Sequence, residues 1–420
     1  MFSARLPWDR SENALAGRER ARRDAGLPII DLTESNPTRV GLHYPVEALR
    51  EALGAAATHS YEPAPLGLLA AREAIARAHV VSGFPIEADR VVLTASSSES
   101  YSLLFKLLCN PGDAILVPEP SYPLFEYLAR LDGVRSVGYR LVYDGAWHID
   151  FDSLRSALHH AAATGGVVRA LVVVNPNNPT GSFVTPEDVA GLGEICAAQD
   201  LAMISDEVFA AYSFESPRAQ TPMPAAPRPL AATPEIAERA LTFSLGGLSK
   251  ASGLPQLKLG WIVAGGPAAA VRAALARLEL ITDTYLSVGG PVQRALPRLL
   301  ELGAGIRSGI QHRVRTNRAA LGAALGPGSP FTLLNAQGGW TAILRVPDLA
   351  SEGSSEGPGQ DSCDERWAMH LLTRDGVLVH PGYLFDMPQG AYLIASLLPP
   401  PETFLRGIAA VVARCGDSVP

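Results

Sequence analysis

The sequence predicts an α/β protein in which a large domain on a parallel or mixed sheet is followed by a smaller α+β domain. Three observations lead there. Six short apolar runs alternate with helical patterns through the middle of the chain: Arg90–Thr94, Ala114–Pro118, Ala170–Val174, Ala202–Ser205, Ala240–Ser244 and Leu259–Ala264. Runs apolar at every position, rather than at alternate ones, belong to strands covered on both faces. The 420 residues are 47% hydrophobic and 18% charged, which supplies a sizeable core and excludes general disorder. No internal repeat is present, and after about residue 296 the pattern becomes mixed helix and strand.

Residues 1–44 are expected to form an arm that packs on the small domain or on a neighbouring subunit. Within it, Arg18–Arg23 is interrupted by Glu19 and reads as a solvated helix face. The large domain is drawn from 45 to 295. Its first strand leads into a helix over Glu99–Cys109, where Leu103, Leu104, Leu107 and Leu108 share one face and Asn110-Pro111-Gly112-Asp113 ends the run. Two stretches read as flexible surface insertions: Ser216–Pro234, rich in Pro and Ala, and Ser351–Glu365, rich in Gly and Ser. The small domain takes 296–420.

Composition also excludes several functions. A net charge of −7 argues against a broad nucleic-acid footprint. No run approaches ~18 apolar residues, so no membrane span is expected. Met1–Gly26 lacks the apolar core of a secretory signal. Cys109, Cys196, Cys363 and Cys415 are scattered without a CxxC pair, which suits a reducing cytoplasm and no metal site. His159-His160 lacks the i, i+4 spacing of metal ligands, and Gly265-Gly266-Pro267 lacks the spacing of a dinucleotide turn.

Chemistry concentrates where strands end, the edge at which open α/β sheets bind ligands. Ser96-Ser97-Ser98 follows the first strand, Tyr122 the second, Asn175–Gly181 (NPNNPTG) the third, Asp206-Glu207 the fourth and Gly246–Lys250 (GGLSK) the fifth. Serines opening a helix, an aromatic, an asparagine, a carboxylate and a lysine together suit a flat, phosphorylated, heteroaromatic aldehyde. A lysine preceded by Gly and Ser at an apolar strand end is placed for a lowered pKa.

With these motifs the sequence resembles fold-type I pyridoxal-phosphate (PLP) enzymes of the class I/II aminotransferase family. Further segments carry the resemblance along most of the chain: Ser35-Asn36-Pro37, Tyr61–Gly67 (YEPAPLG), Pro111-Gly112-Asp113, Leu259-Gly260-Trp261 and His380-Pro381-Gly382. The resemblance implies a mostly parallel, seven-stranded large-domain sheet, a homodimer, and transfer of an amino group between an amino acid and a 2-oxo acid. It implies Lys250 as the Schiff-base and proton-shuttling residue and Asp206 as partner of the pyridine nitrogen. Asn178 would reach the 3′-oxygen and Tyr122 would stack on the ring. Ser97, Ser98, Lys258 and Tyr61 from a second subunit would hold the phosphate. Asn36, Trp340 and His380 are candidates for substrate contact. Glu207 and Asn175 read as structural.

Four positions depart from the family pattern. Lys258 stands where an arginine is usual and keeps the charge without the bidentate fork. Phe209 replaces a tyrosine and removes one hydroxyl, and Ser96 replaces a glycine. In the C-terminal strand, Ile394 stands where an arginine usually grips the substrate carboxylate, leaving Arg39, His380 or Lys258 as substitutes. That loss keeps open a second expectation, a PLP lyase, decarboxylase or cyclase on the same scaffold.

Overall fold

The computed structural model describes residues 2–5, 12–57, 60–214, 228–326, 328–348, 362–388 and 390–416. In chain order the first strands are β1 (Ile30–Asp31), β2 (Val91–Thr94), β3 (Ala114–Glu119), β4 (Arg135–Tyr143), β5 (Trp147–Ile149), β6 (Val168–Val174) and β7 (Ala202–Asp206). They are followed by β8 (Thr242–Gly247), β9 (Gly260–Gly265), β10 (Thr332–Leu333), β11 (Thr341–Val346), β12 (Val377–Leu378), β13 (His380–Pro381) and β14 (Ala391–Ser396).

The large sheet has the order β2-β9-β8-β7-β6-β3-β4-β5. Strands β8, β7, β6, β3 and β4 are parallel neighbours. Strand β9 runs against both β8 and β2, so the C-terminal ends of β2, β3, β6, β7 and β8 share one edge. That edge carries all five motifs read from the sequence. The three-residue β5 adds an antiparallel edge strand to the expected seven.

Alternate strand residues feed opposite faces. Ile115, Val117, Val172, Ile204, Phe243 and Ile262 meet Leu104 and Phe105 of helix Ser97–Leu108 and Val271 and Leu278 of helix Ala268–Tyr285. Leu116, Leu171, Val173 and Met203 face helices Phe151–Ala163 and Pro186–Gln199. The smaller sheet is antiparallel, in the order β10-β11-β14-β13. The N-terminal chain joins this part of the molecule: β1 pairs in parallel with β12, and Arg22 of helix Ala14–Asp24 donates to Thr373 O at 3.3 Å.

Two expectations need correction. Part of the Pro/Ala-rich insertion is built into the core: Leu230 and Ala231 are buried, Leu230 N donates to Glu207 Oε1 and Ala231 N to Ser244 Oγ. Residues 215–227 lie outside the described ones. The Gly/Ser-rich stretch likewise ends in structure, since helix Cys363–Arg374 begins inside it and the buried Asp364 accepts from Tyr383 N at 2.7 Å. Residues 349–361 are outside the description. Each correction has one cause: local composition misses partners far along the chain.

Helix Gly290–Ala324 spans 35 residues, about 50 Å. Along one stripe, Arg307 donates to Ala251 O at 3.1 Å, Gln311 to Ala211 O at 2.6 Å and Arg315 to Ser213 O at 2.9 Å. On a second stripe Arg313 donates to Val40 O and Leu398 O, and Asn317 to Leu397 O and Pro399 O. The spacing of four residues puts each set on one helix face. Asn317 is fully buried, so truncating it orphans two carbonyls. Asn317→Ala should lower the unfolding free energy by about 2–3 kcal/mol, read as a lower urea midpoint at unchanged m.

Candidate active site

Strand β8 ends in Gly246-Gly247 and turns into a four-residue helix, Leu248–Ala251, that carries Lys250. Glycine is required at 246 because Trp261 of β9 lies across it: a Cβ there would stand 2.4 Å from the indole Nε1. The Lys250 carbonyl accepts from Tyr212 Oη at 2.6 Å and the Ala251 carbonyl from Arg307. The Lys250 main chain is therefore pinned on both sides. Its Nζ lies 4.6 Å from the Trp340 ring centroid and 5.3 Å from that of Phe209. Burial among these rings lowers the amine pKa to about 8, and the Asp206 carboxylate opposes the shift.

Asp206 is the last residue of β7, the strand beside β8. Its Oδ1 accepts from Val208 N at 3.2 Å and its Oδ2 from Tyr101 Oη at 3.1 Å. Burial raises its pKa, while both hydrogen bonds and the charge of Lys250 lower it. The next residue, Glu207, has a structural task. It accepts from Leu230 N and Ser244 Oγ, and burial pushes it up to about 7.

At the end of β2, Ser96 caps helix Ser97–Leu108 by accepting from Glu99 N. The amides of Ser97 and Ser98 begin the helix without intrahelical acceptors, and both serines are partly exposed. Tyr101 follows one turn later, so the open helix start and the contact to Asp206 stand about 5 Å apart along one axis. Gly260 lets β9 approach this turn: a Cβ would meet Ser96 C at 3.1 Å. Lys258 is exposed two residues before it, in a left-handed conformation with φ 47°.

Loop 175–181 splits its asparagines between two tasks. Asn175 Oδ1 accepts from Val184 N, and Asn177 accepts from Thr180 while reaching Ser121 Oγ at 3.5 Å. Asn178 is partly exposed and its amide has no hydrogen bond within the described chain. Gly181 and Gly338 pack backbone to backbone, since a Cβ on Gly181 would stand 2.3 Å from Gly338 O. This approach, with Thr341 Oγ1 donating to Pro179 O, carries Trp340 across to Lys250. Trp340 is 2% exposed, and Phe209 and Tyr212 meet it edge-on at 5.3 and 5.0 Å.

The other sequence-predicted residues, Tyr122, Tyr61, Asn36 and His380, have surroundings of their own. Tyr122 is 48% exposed beside the buried Ser121, whose N donates to Phe385 O. Tyr61 is 78% exposed, next to the Glu62–Arg294 ion pair. Asn36 spends its carbonyl on Thr38. His380 is the cross-strand partner of Ile394 and meets Phe385 edge-on at 5.8 Å. Ile394 is fully buried with Ile343, Phe385 and Tyr392, so apolar packing fills the position. Sequence reasoning missed Tyr101 and Tyr212. Tyr101 carried one signal, its place one turn past the serine cluster.

The class I and II aminotransferase family model matches residues 28–394. The chain is a class I and II aminotransferase. Family membership implies the PLP cofactor. Alanine aminotransferase of Mycobacterium tuberculosis is 26% identical over 93% of this chain and 86% of its own. Glutamate-pyruvate aminotransferase of Escherichia coli is 26% identical over 66% of this aminotransferase and 64% of the relative. Among solved structures, alanine aminotransferase from Pyrococcus furiosus superposes with a TM-score of 0.82 at 23% identity, covering 99% and 100% of the two chains. A Thermus thermophilus aspartate aminotransferase variant gives 0.78 at 20% identity, covering 98% and 99%.

The environment of Lys250 makes a direct prediction for the aminotransferase without cofactor. Its reactivity toward an amine-selective reagent, followed by peptide mass spectrometry across pH, should rise with a midpoint at about 8. Removing the carboxylate that stabilises the ammonium, as in Asp206→Asn, should move that midpoint down. A midpoint in the ordinary lysine range would overturn this account of the site.

Proposed function

We propose that Lys250 is the residue to which PLP is linked and that it moves the substrate Cα proton in an amino-group transfer between an amino acid and a 2-oxo acid. The single observation behind the assignment is a lysine amine enclosed by the Trp340 and Phe209 rings just past the end of β8, beside the strand that ends in the Asp206 carboxylate. The donor set fits the cofactor. Asp206 would hold the pyridine nitrogen, Asn178 has an uncommitted amide for the 3′-oxygen, and Tyr122 offers a ring face. The helix start at Ser97 and Ser98, with Lys258, would hold the phosphate. When bound, PLP supplies an aldehyde that condenses with amines and a ring that takes up the electron pair left as the Cα proton departs.

The chain does the rest. With a pKa at about 8, Lys250 Nζ holds and releases a proton near neutral pH at little cost. Trp340 and Phe209 shield that nitrogen from water. Asp206 stays an acceptor through the hydrogen bonds it receives. Phe209 has no hydroxyl to offer the 3′-oxygen, which leaves that task to Asn178. Because Ile394 is apolar and enclosed, we assign no carboxylate grip to that strand position, and the substrate is oriented from elsewhere in the site.

We further propose a cytoplasmic homodimer. Exposed Tyr61, Leu280 and Tyr285, at 78%, 72% and 55%, support a covered face near the phosphate end. Among the described residues no helix is long and apolar enough to cross a membrane.

The experiment is a half-reaction. Mixing the pyridoxamine-phosphate form with a 2-oxo acid should regenerate the aldehyde form stoichiometrically, followed by absorbance, whereas a dedicated lyase, decarboxylase or cyclase would leave it unchanged. Lys250→Ala should lose the visible absorbance and the borohydride-reducible link to the chain. Survival of that link would refute the assignment of Lys250.

A further inference from the structure

Tyr101 belongs to no motif that the activity absorbs, yet its hydroxyl reaches a functional side chain. It projects from helix Ser97–Leu108 under the end of β7, is 3% exposed, and places its Oη 3.1 Å from Asp206 Oδ2. Phe125 meets its ring edge-on at 5.2 Å and Phe105 lies tilted against it at 5.9 Å, which fixes the direction of the phenol. The other aromatic residues around the pair offer nothing equivalent. Tyr212 gives its hydroxyl to the Lys250 main chain, Tyr139 gives its own to Val172 O at 2.9 Å, and Phe209 has none.

A carboxylate carried under a sheet edge loses its water, and burial favours the neutral acid. Two donors oppose this, Val208 N on Oδ1 and Tyr101 Oη on Oδ2. The first is a main-chain amide of the same loop. The second arrives from a different element and is the one that a single substitution removes.

We propose that Tyr101 is a positioning residue for the cofactor ring: its hydroxyl holds Asp206 ionised and turned toward the ligand, so that the proton of the pair stays on the ring nitrogen. The inference rests on the reading of Asp206 as partner of that nitrogen. A hydrogen bond to a carboxylate stabilises the charged form over the acid. Without the phenol, Asp206 takes up a proton at higher pH, and a protonated Asp206 pairs poorly with a pyridinium. The groups that face Asp206 are few: Tyr101 and, behind it, Tyr139 of β4; Lys250 from the helix after β8; and the adjacent Glu207. Lys250 and Tyr101 favour the ionised carboxylate, while burial opposes them.

The test is the affinity for PLP as a function of pH, measured by absorbance titration on full-length wild type and Tyr101→Phe. Phenylalanine keeps the ring packing and removes one oxygen. Affinity should fall on the acid side, and in Tyr101→Phe the midpoint of that limb should move up by about one pH unit, a change of about tenfold in affinity below it. The cofactor phosphate titrates alike in both proteins and cancels in the comparison. The same substitution in an Asp206→Asn background, where no carboxylate can ionise and the limb that Asp206 causes is absent, should change affinity by less than about twofold at every pH.

An unmoved limb in Tyr101→Phe would overturn the proposal. An equal loss in the Asp206→Asn background would overturn it too, because the tyrosine would then act through packing alone. Failure of the underlying reading looks different: the wild type would take up no PLP, or Lys250→Ala would keep a borohydride-reducible link.

Discussion

Lys250 and Asp206 lie at the ends of adjacent parallel strands, and each has lost most of its water. An isolated buried charge of either sign is costly, and a buried pair survives only where its remaining valences are met. Strand spacing of about 4.8 Å sets how close the two chains run. What surrounds them follows from that spacing. Two donors reach the anion, and two aromatic faces lie against the cation at 4.6 and 5.3 Å. Each charge partly cancels the pKa shift that burial imposes on the other. The lysine remains basic enough to carry a proton and acidic enough to give it up.

The small sheet contributes to this balance through one crossing. The stretch before β11 packs on the loop after β6 at Gly181 and Gly338, where no side chain fits, and brings Trp340 over Lys250. The aromatic surround of the amine is thus shared between the two sheets.

Strand ends were legible in the sequence because strands covered on both faces are apolar throughout and stop abruptly at polar residues. Five of the six apolar runs ended within a residue or two of the observed boundaries, and these carry the serines, Tyr122, the asparagine loop, Asp206 and the approach to Lys258. The run drawn as Ala240–Ser244 continues to Gly247, since paired glycines read as a turn when Trp261, packed across one of them, is out of sight. β4 went unread because its nine residues alternate with Arg, Ser and Gly and are partly exposed. Tyr101 and Tyr212 went unread for a related reason. Each is a buried aromatic whose hydroxyl partner lies 105 or 38 residues away, and no local pattern encodes such a pairing. Trp340, read from the sequence as a candidate for substrate contact, acquires its place at Lys250 through backbone contacts.

Helix Gly290–Ala324 holds the segments around the site by their carbonyl oxygens at Ala211, Ser213 and Ala251. Every residue presents the same carbonyl, so this clasp reads chain position and is blind to side-chain identity. Residues along the held segments are therefore free to change in evolution while the frame that presents them keeps its shape. Specificity and stability are entrusted to different atoms of the same peptide units, an arrangement that lets one scaffold explore many substrates without renegotiating its fold.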